Sequence, residues 1–201
     1  MRRRRCTDPD AERGSGRLAR VAGELDARGI RHSTKRKLTS VSEGVAHFED
    51  GDEPFELMIA VPPHRVPSVV ADAGLTGQGG WIVVDRRTLA TRHPDVWAVG
   101  DVTMITLANG LPLPKAGAIA ELEGARVAAA IAARLQDASE PAPFSGDGMC
   151  FIETGHGTAA LVDGHFFAEP EPDVRVRPPS AEIAAAKRSF ELDRLTSWFG
   201  S

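Results

Sequence analysis

Val96-Trp97-Ala98-Val99-Gly100-Asp101, followed fourteen residues after Asp101 by Lys115-Ala116-Gly117 and then by an Ala-, Glu-, Leu- and Arg-rich run from Gly117 to Leu135, decides the reading of this chain. A compact apolar run ending in Gly-Asp predicts a buried parallel strand with a carboxylate at its carboxyl end, the position at which open α/β sheets bind ligands. A carboxylate there accepts hydrogen bonds from the hydroxyls of a sugar or polyol, and Gly100 lets a ligand approach the backbone. The run after Gly117 predicts the strongest helix of the chain. Its first amides and the partial positive charge of its amino end suit an anion, and Lys115 adds to that field. The competing reading makes Asp101 a turn cap and Lys115 a solvated side chain.

Working upstream, Trp81-Ile82-Val83-Val84-Asp85 is a second compact strand signal that also ends in an acid. Val66 to Gly74 predicts a short helix, and Gly77 to Gly80 a loop. Phe55 and Leu57 to Val61 form a nearly continuous apolar run, as expected for a strand covered on both faces and ended by Pro62-Pro63. Val41, Val45 and Phe48, broken by Gly44 and closed by Glu49-Asp50-Gly51-Asp52, predict short strands joined by tight turns. Leu18, Val21, Ala22 and Leu25 fall at helical spacing, and Gly29 ends the pattern. Downstream, Ala138 to Pro143 reads as a linker. Met149 to Glu153 and Leu161-Val162 read as strands around a glycine turn, Pro170 to Pro179 as a Pro-rich stretch, and about Ala181 to Phe199 as a terminal helix.

Composition bounds the function. The 201 residues are 42% hydrophobic and 26% charged, a globular balance. The longest apolar run, Val127 to Ala133, is far below the roughly 20 residues of a membrane-spanning helix. No secretory leader is visible behind Met1-Arg-Arg-Arg-Arg5, so the expected location is the cytoplasm. Net charge is −4, unevenly spread. Residues 1–20 hold seven Arg against three acids, and residues 138–201 hold ten acids against five bases. No aromatic residue interleaves the arginines and no nucleic-acid motif follows them, so residues 1–15 read as a disordered basic arm and no nucleic-acid partner is expected. Two cysteines, Cys6 and Cys150, and six histidines without ligand spacing predict no metal site.

Three glycine patterns are weighed as nucleotide fingerprints. Gly14-Ser15-Gly16-Arg17-Leu18-Ala19 opens a helix, but polar residues with Pro9 precede it where a buried strand is required. Gly155-His156-Gly157-Thr158 fits a strand, turn, strand ribbon, because Gly164 arrives too soon for a helix. Gly77-Gln78-Gly79-Gly80 is loop-like.

Gly80 to Asp85, Thr88-Leu89-Ala90-Thr91, Val96 to Asp101 and Leu113-Pro114-Lys115-Ala116-Gly117 together resemble the carboxyl-terminal signature of the FAD-dependent pyridine nucleotide-disulfide oxidoreductase superfamily. The resemblance is greatest to its sulfide:quinone oxidoreductase, flavocytochrome sulfide dehydrogenase and type II NADH dehydrogenase branch. It runs from about residue 16 to residue 201, through Pro62-Pro63-His64 upstream and Cys150, Gly155 and Lys187 to Phe199 downstream. It implies an α/β, incomplete two-nucleotide-domain, Rossmann-like flavoprotein fold with a small α+β carboxyl-terminal domain. Residues 16–61 would be a remnant of the central nucleotide-binding domain, 62–137 the carboxyl-terminal part of the FAD-binding domain, and 138–201 the last domain with an amphipathic terminal helix.

By the same resemblance Gly100 and Asp101 bind the ribityl part of FAD, and Lys115, Ala116 and Gly117 line the flavin ring. Lys187 and Phe190 lie near a quinone acceptor, and NAD(P)H or quinone serves as co-substrate. Related sulfide-oxidising enzymes carry a cysteine beside the flavin that works as a disulfide relay with a second thiol, which makes Cys150 a catalytic candidate. From the residues alone, Cys150 between Met149 and Phe151 reads equally as a packed apolar thiol, and the surroundings of Cys6 do not resemble the family's second cysteine. Leu192, Leu195, Trp198 and Phe199 read either as packing or as a peripheral membrane contact, at the inner face of the membrane.

The family's amino-terminal G-x-G-x-x-G unit, which holds the FAD pyrophosphate, does not appear in these residues. The expectation is therefore an FAD-dependent oxidoreductase present as a carboxyl-terminal fragment or as half of a split enzyme, with a second chain supplying the FAD-binding half and a small-molecule donor and quinone-like acceptor as substrates. The alternative is a non-catalytic remnant or interaction module without its own cofactor.

Overall fold

The computed structural model describes residues 21–200, which fall into two compact units divided between Pro63 and His64. The basic arm, the Gly14 to Ala19 pattern and Cys6 lie outside the described residues.

In the first unit a helix occupies residues 21–26 and ends at Gly29, whose φ of +65° suits glycine. The amide of Gly29 donates to the Asp26 carbonyl and that of Ile30 to the Leu25 carbonyl, a paired closure that satisfies the last carbonyls. Three antiparallel strands follow as a meander: β1 (Leu38–Ser42), β2 (Val45–Phe48) and β3 (Gly51–Pro54). Gly44, at φ +71°, makes the first turn, and the Phe55 amide donates to its carbonyl. The continuous strand expected over 55–61 does not form. Leu57, Ile59 and Val61 are 79%, 90% and 82% exposed. A strand buried on both faces needs neighbours to hydrogen-bond and cover it, and the sheet ends at β3 before this run begins.

The second unit is built on one core of Ile82, Val84, Leu89, Ala98, Ile105, Leu107, Leu113, Ile119, Phe144 and Phe166. A short helix, α1 (Ser68–Asp72), leads to β4 (Ile82–Val83), which pairs in parallel with β5 (Thr103–Met104). Between them Asp85 organises a turn. Its Oδ1 accepts from the amides of Arg87 and Thr88 and from the Thr88 hydroxyl, which lowers its carboxyl pKa. That turn holds Leu89, at φ +62°, fully buried in the core.

The strand expected over 96–101 is reduced to a single bridge between Trp97 and Ala90, followed by a 3-10 turn at Gly100–Val102. Gly100 has φ +70°, which breaks the extended path, and its amide is taken by Glu123 rather than by a neighbouring strand. Asp101 therefore sits in a turn just before β5, not at the carboxyl end of a strand.

Helix α2 covers Gly117–Leu135, as expected. After the element-free residues 138–143 come β6 (Asp147–Gly155), β7 (Thr158–His165) and β8 (Asp173–Ser180), an antiparallel meander with β7 in the middle. Gly155, His156 and Gly157, all at positive φ, make the ribbon turn expected of that pattern. Pro178 and Pro179 fall in β8, an edge strand, where a missing amide is tolerated. Helix α3 (Ala181–Phe199) starts on Ser180, whose hydroxyl accepts from the Ile183 amide, and closes on Gly200 at φ +68°. It packs on β7 and β8. No helix among the described residues is long and apolar enough to cross a membrane, and no cluster there would hold a metal ion.

Candidate functional site

The turn at Gly100 and the amino end of α2 are tied together by buried charge. Glu123, 1% exposed on the inner side of α2, accepts the Gly100 amide at 2.5 Å. Burial raises its carboxyl pKa, while the Gly100 amide and the Lys115 ammonium work against that rise. The Lys115 ammonium donates to the carbonyls of Asp101, at 2.5 Å, and Thr103, at 2.9 Å, and lies 3.9 Å from the centre of the Trp81 ring. Burial lowers its pKa, with Asp101 and Glu123 opposing. The Asp101 carboxylate is exposed and accepts no hydrogen bond from the described residues.

Gly100, Asp101, Lys115 and Ala116 line one small hollow of about 10 Å³, space for about one water. The other side of the helix tip opens onto something much larger. Ala116 and Gly117 share with Cys150, Lys187 and Phe190 the wall of a mostly apolar cavity of about 610 Å³, within the size range of small-molecule sites. Five of the eight residues singled out in the sequence thus meet in one cavity, and the other three line the hollow that adjoins it at Ala116. No side chain caps α2 at Ala116, and while the Ile119 amide donates to the Ala116 carbonyl, the amides of Gly117 and Ala118 keep their donors for a ligand. These features fit the ring end and polyol chain of a flavin. Among the described residues, no glycine-rich cradle for its pyrophosphate is present.

The reading of Cys150 as a core thiol is corrected: Cys150 is exposed on β6 and faces this cavity. Iodoacetamide is expected to alkylate it in the native chain without denaturant, as peptide mass will check; resistance until unfolding would contradict its placement. Packing of the apolar end of α3 is likewise corrected, since Leu192, Leu195, Trp198 and Phe199 are 62%, 42%, 62% and 74% exposed. The last three line the cavity.

Lys187 is not free in the site. It pairs with Glu153 at 2.9 Å, which raises its pKa. Phe190 meets Phe151 edge-on at 5.7 Å and carries the Arg194 guanidinium 3.3 Å above its ring centre. That same guanidinium donates twice to the Glu121 carboxylate, at 2.8 and 2.9 Å, clamping α3 to α2 across the cavity. Arg194 and Glu121 are the functional residues that sequence reasoning missed. The four-residue spacing of Phe190 and Arg194 is a local signal, but their partner lies 73 residues away on another helix.

No family model matches the chain. The mitochondrial sulfide:quinone oxidoreductase of Schizosaccharomyces pombe is 28% identical over 153 residues, which are 72% of this chain and 32% of that protein. The crystal structure of the sulfide:quinone oxidoreductase from the hyperthermophilic bacterium Aquifex aeolicus has a TM-score of 0.70 at 21% identity, covering 89% of this chain and 43% of that one. A NAD-dependent persulfide reductase from A. fulgidus has a TM-score of 0.52 at 18% identity, covering 82% and 29%. The chain thus spans about a third of the length of the curated relative. The superpositions show the partial Rossmann-like α/β fold that the resemblance implied.

Proposed function

We propose that this chain, a homologue of the sulfide:quinone oxidoreductases in the FAD-dependent pyridine nucleotide-disulfide oxidoreductase superfamily, forms the acceptor side and the flavin-ring edge of an FAD-dependent oxidoreductase. The convergence of Ala116, Gly117, Cys150, Lys187 and Phe190 on one apolar cavity, from three elements far apart in sequence, carries this reading. FAD held by these residues would supply two-electron transfer from a reduced sulfur compound or NAD(P)H to a quinone-like acceptor.

Each residue has a physical task in that scheme. The Asp101 carboxylate accepts hydrogen bonds from polyol hydroxyls. The uncapped α2 terminus and the Lys115 ammonium place positive potential at the ring edge, where negative charge accumulates. The apolar walls of Phe151, Phe190, Leu195 and Trp198 exclude water from the acceptor. Lys187, held protonated by Glu153, supplies a proton donor for an acceptor oxygen once it swings from that carboxylate. Arg194 fixes the spacing of α2 and α3 and occupies one face of Phe190, leaving the edge of that ring for the ligand. The exposed apolar end of α3 gives a peripheral membrane contact through which a lipid-soluble quinone enters. Tight FAD binding requires the complementary pyrophosphate-binding half, whether it lies on a longer chain or on a second one.

Duroquinone, which is fully substituted and so does not add to thiols, provides the test. Titrated into the full chain, it is expected to quench tryptophan fluorescence saturably through Trp198. Phe190→Ala or Leu195→Asp is expected to weaken binding about tenfold, roughly 1.4 kcal/mol. Visible flavin absorbance is expected when the chain is produced together with the product of the adjoining coding sequence. Unsaturable quenching, unchanged by either substitution, would leave a non-catalytic interaction module as the better reading.

A further inference from the structure

The geometry points to Ser42 as an activated nucleophile, assembled with His47 and Asp52 into an acyl-transfer site on the β1–β2–β3 meander, independent of the flavin cavity. The Ser42 hydroxyl lies 2.8 Å from His47 Nε2, and His47 Nδ1 lies 2.9 Å from Asp52 Oδ1. Those are the two contacts, nucleophile to base and base to orienting carboxylate, that define a serine triad, which is recognised by geometry rather than by sequence order.

Strand register puts the three groups together. His47 pairs directly with Asp52 on β3 and with Ser40 on β1, so Ser42, two residues along β1, projects from the same face. The strand is held in place by the Thr39 hydroxyl, which donates to the His47 carbonyl, and the turn after Ser42 by the Phe55 amide donating to Gly44. The proton inventory fixes the roles. A carboxylate only accepts, so Nδ1 carries the imidazole proton toward Asp52 and Nε2 presents its lone pair to the Ser42 hydroxyl. Ser42 is exposed, and the His47 and Asp52 side chains are 33% and 61% accessible, so a small substrate reaches the oxygen without rearrangement.

The class of substrate is a short, activated acyl ester, which reaches the exposed Ser42 hydroxyl directly from solvent. Ser42 Oγ forms the bond to the carbonyl carbon while its proton passes to His47 Nε2. The ester's carbon–oxygen bond breaks, and the leaving oxygen takes that proton. Water then enters by the same path, releasing the carboxylic acid and regenerating the hydroxyl. No redox partner is needed.

The full chain mixed with p-nitrophenyl acetate tests this. A burst of p-nitrophenolate approaching one equivalent per chain is expected, with one acetyl group located on Ser42 by peptide mass. Ser42→Ala is expected to abolish the burst, and His47→Gln to slow it about 100-fold or more. Asp52→Asn, which keeps the shape of the meander, is expected to slow it at least tenfold by releasing the imidazole tautomer. Circular dichroism establishes that each variant remains folded. Acetyl groups found on lysines or on His47, or an Asp52→Asn chain that acetylates Ser42 at the original rate, would overturn the assignment.

Discussion

Gly164→Ala is expected to cost about 3 kcal/mol and to empty the cavity together with the fold around it. Gly164 lies on β7, paired with Gly148 on β6 and with Val174 on β8. A Cβ placed there lands on the Asp173 carbonyl oxygen and 2.6 Å from the Val174 Cα. These are backbone atoms, so no rotamer change relieves the overlap, and β8 must move away from β7. That strand delivers Ser180, the cap of α3, and α3 brings Lys187, Phe190 and Arg194 to the site. A loss of this size is a large share of the 5–15 kcal/mol typical of a folded domain. The urea midpoint should therefore fall sharply while saturable duroquinone quenching disappears. Gly124→Ala supplies the contrast. It lies inside α2 with nothing within 4 Å of the added methyl, and should gain roughly 0.5–1 kcal/mol from helix propensity. Equal midpoints for wild type and Gly164→Ala would refute the close approach of β7 and β8.

How far the sequence reveals this architecture depends on whether the signal is local. Both long helices are legible to the residue because their ends are written locally, in Gly117 after Pro114 and in Ser180 and Gly200 around α3. The ribbon at Gly155 is legible because glycines stand at two of its three successive positive-φ positions, Gly155 and Gly157 on either side of His156. The runs 55–61 and 96–101 mislead for the same reason as each other. Apolar content reports that a segment suits burial between layers, whereas strand formation also needs hydrogen-bonding neighbours. Those neighbours are lacking for Leu57 to Val61, and at Gly100 a side chain from another element takes the amide.

Helix α2 shows the opposite difficulty. Its buried residues, Ile119, Glu123, Arg126 and Ala130, follow helical periodicity but include two charges, while Leu122, Ile131 and Leu135 on other faces are exposed. Hydropathy alone would turn the helix the wrong way. The family resemblance names candidate residues but not their geometry. Only the tertiary arrangement places Cys150 and Phe190 against the helix tip, and only it introduces the Arg194–Glu121 clamp.

Glu123→Ala and Glu123→Gln should separate sharply, because the first removes an acceptor and the second only a charge. In the alanine variant the Gly100 amide loses its acceptor beneath α2, and a side chain's volume is left empty. The two effects together come to about 2–4 kcal/mol. The glutamine variant retains an oxygen for that amide and is expected to lie close to wild type. The pH dependence gives the decisive comparison. Burial holds the native carboxyl pKa above its unfolded value. Between the two values the native chain keeps a proton that the unfolded chain has released, so wild-type stability falls as pH rises through that window and stays lower above it. Glutamine does not titrate. Measured as urea midpoints, Glu123→Gln should therefore gain on wild type as pH increases through the weakly acidic range. Parallel pH profiles for the two chains would contradict a buried ionisable carboxyl at this position. The alanine chain carries the functional consequence. With Gly100 released, the turn that presents Asp101 is no longer tied to the helix tip beside Lys115. On the proposed function, FAD reconstituted with the complementary half should then be lost from the alanine variant and kept by the glutamine one.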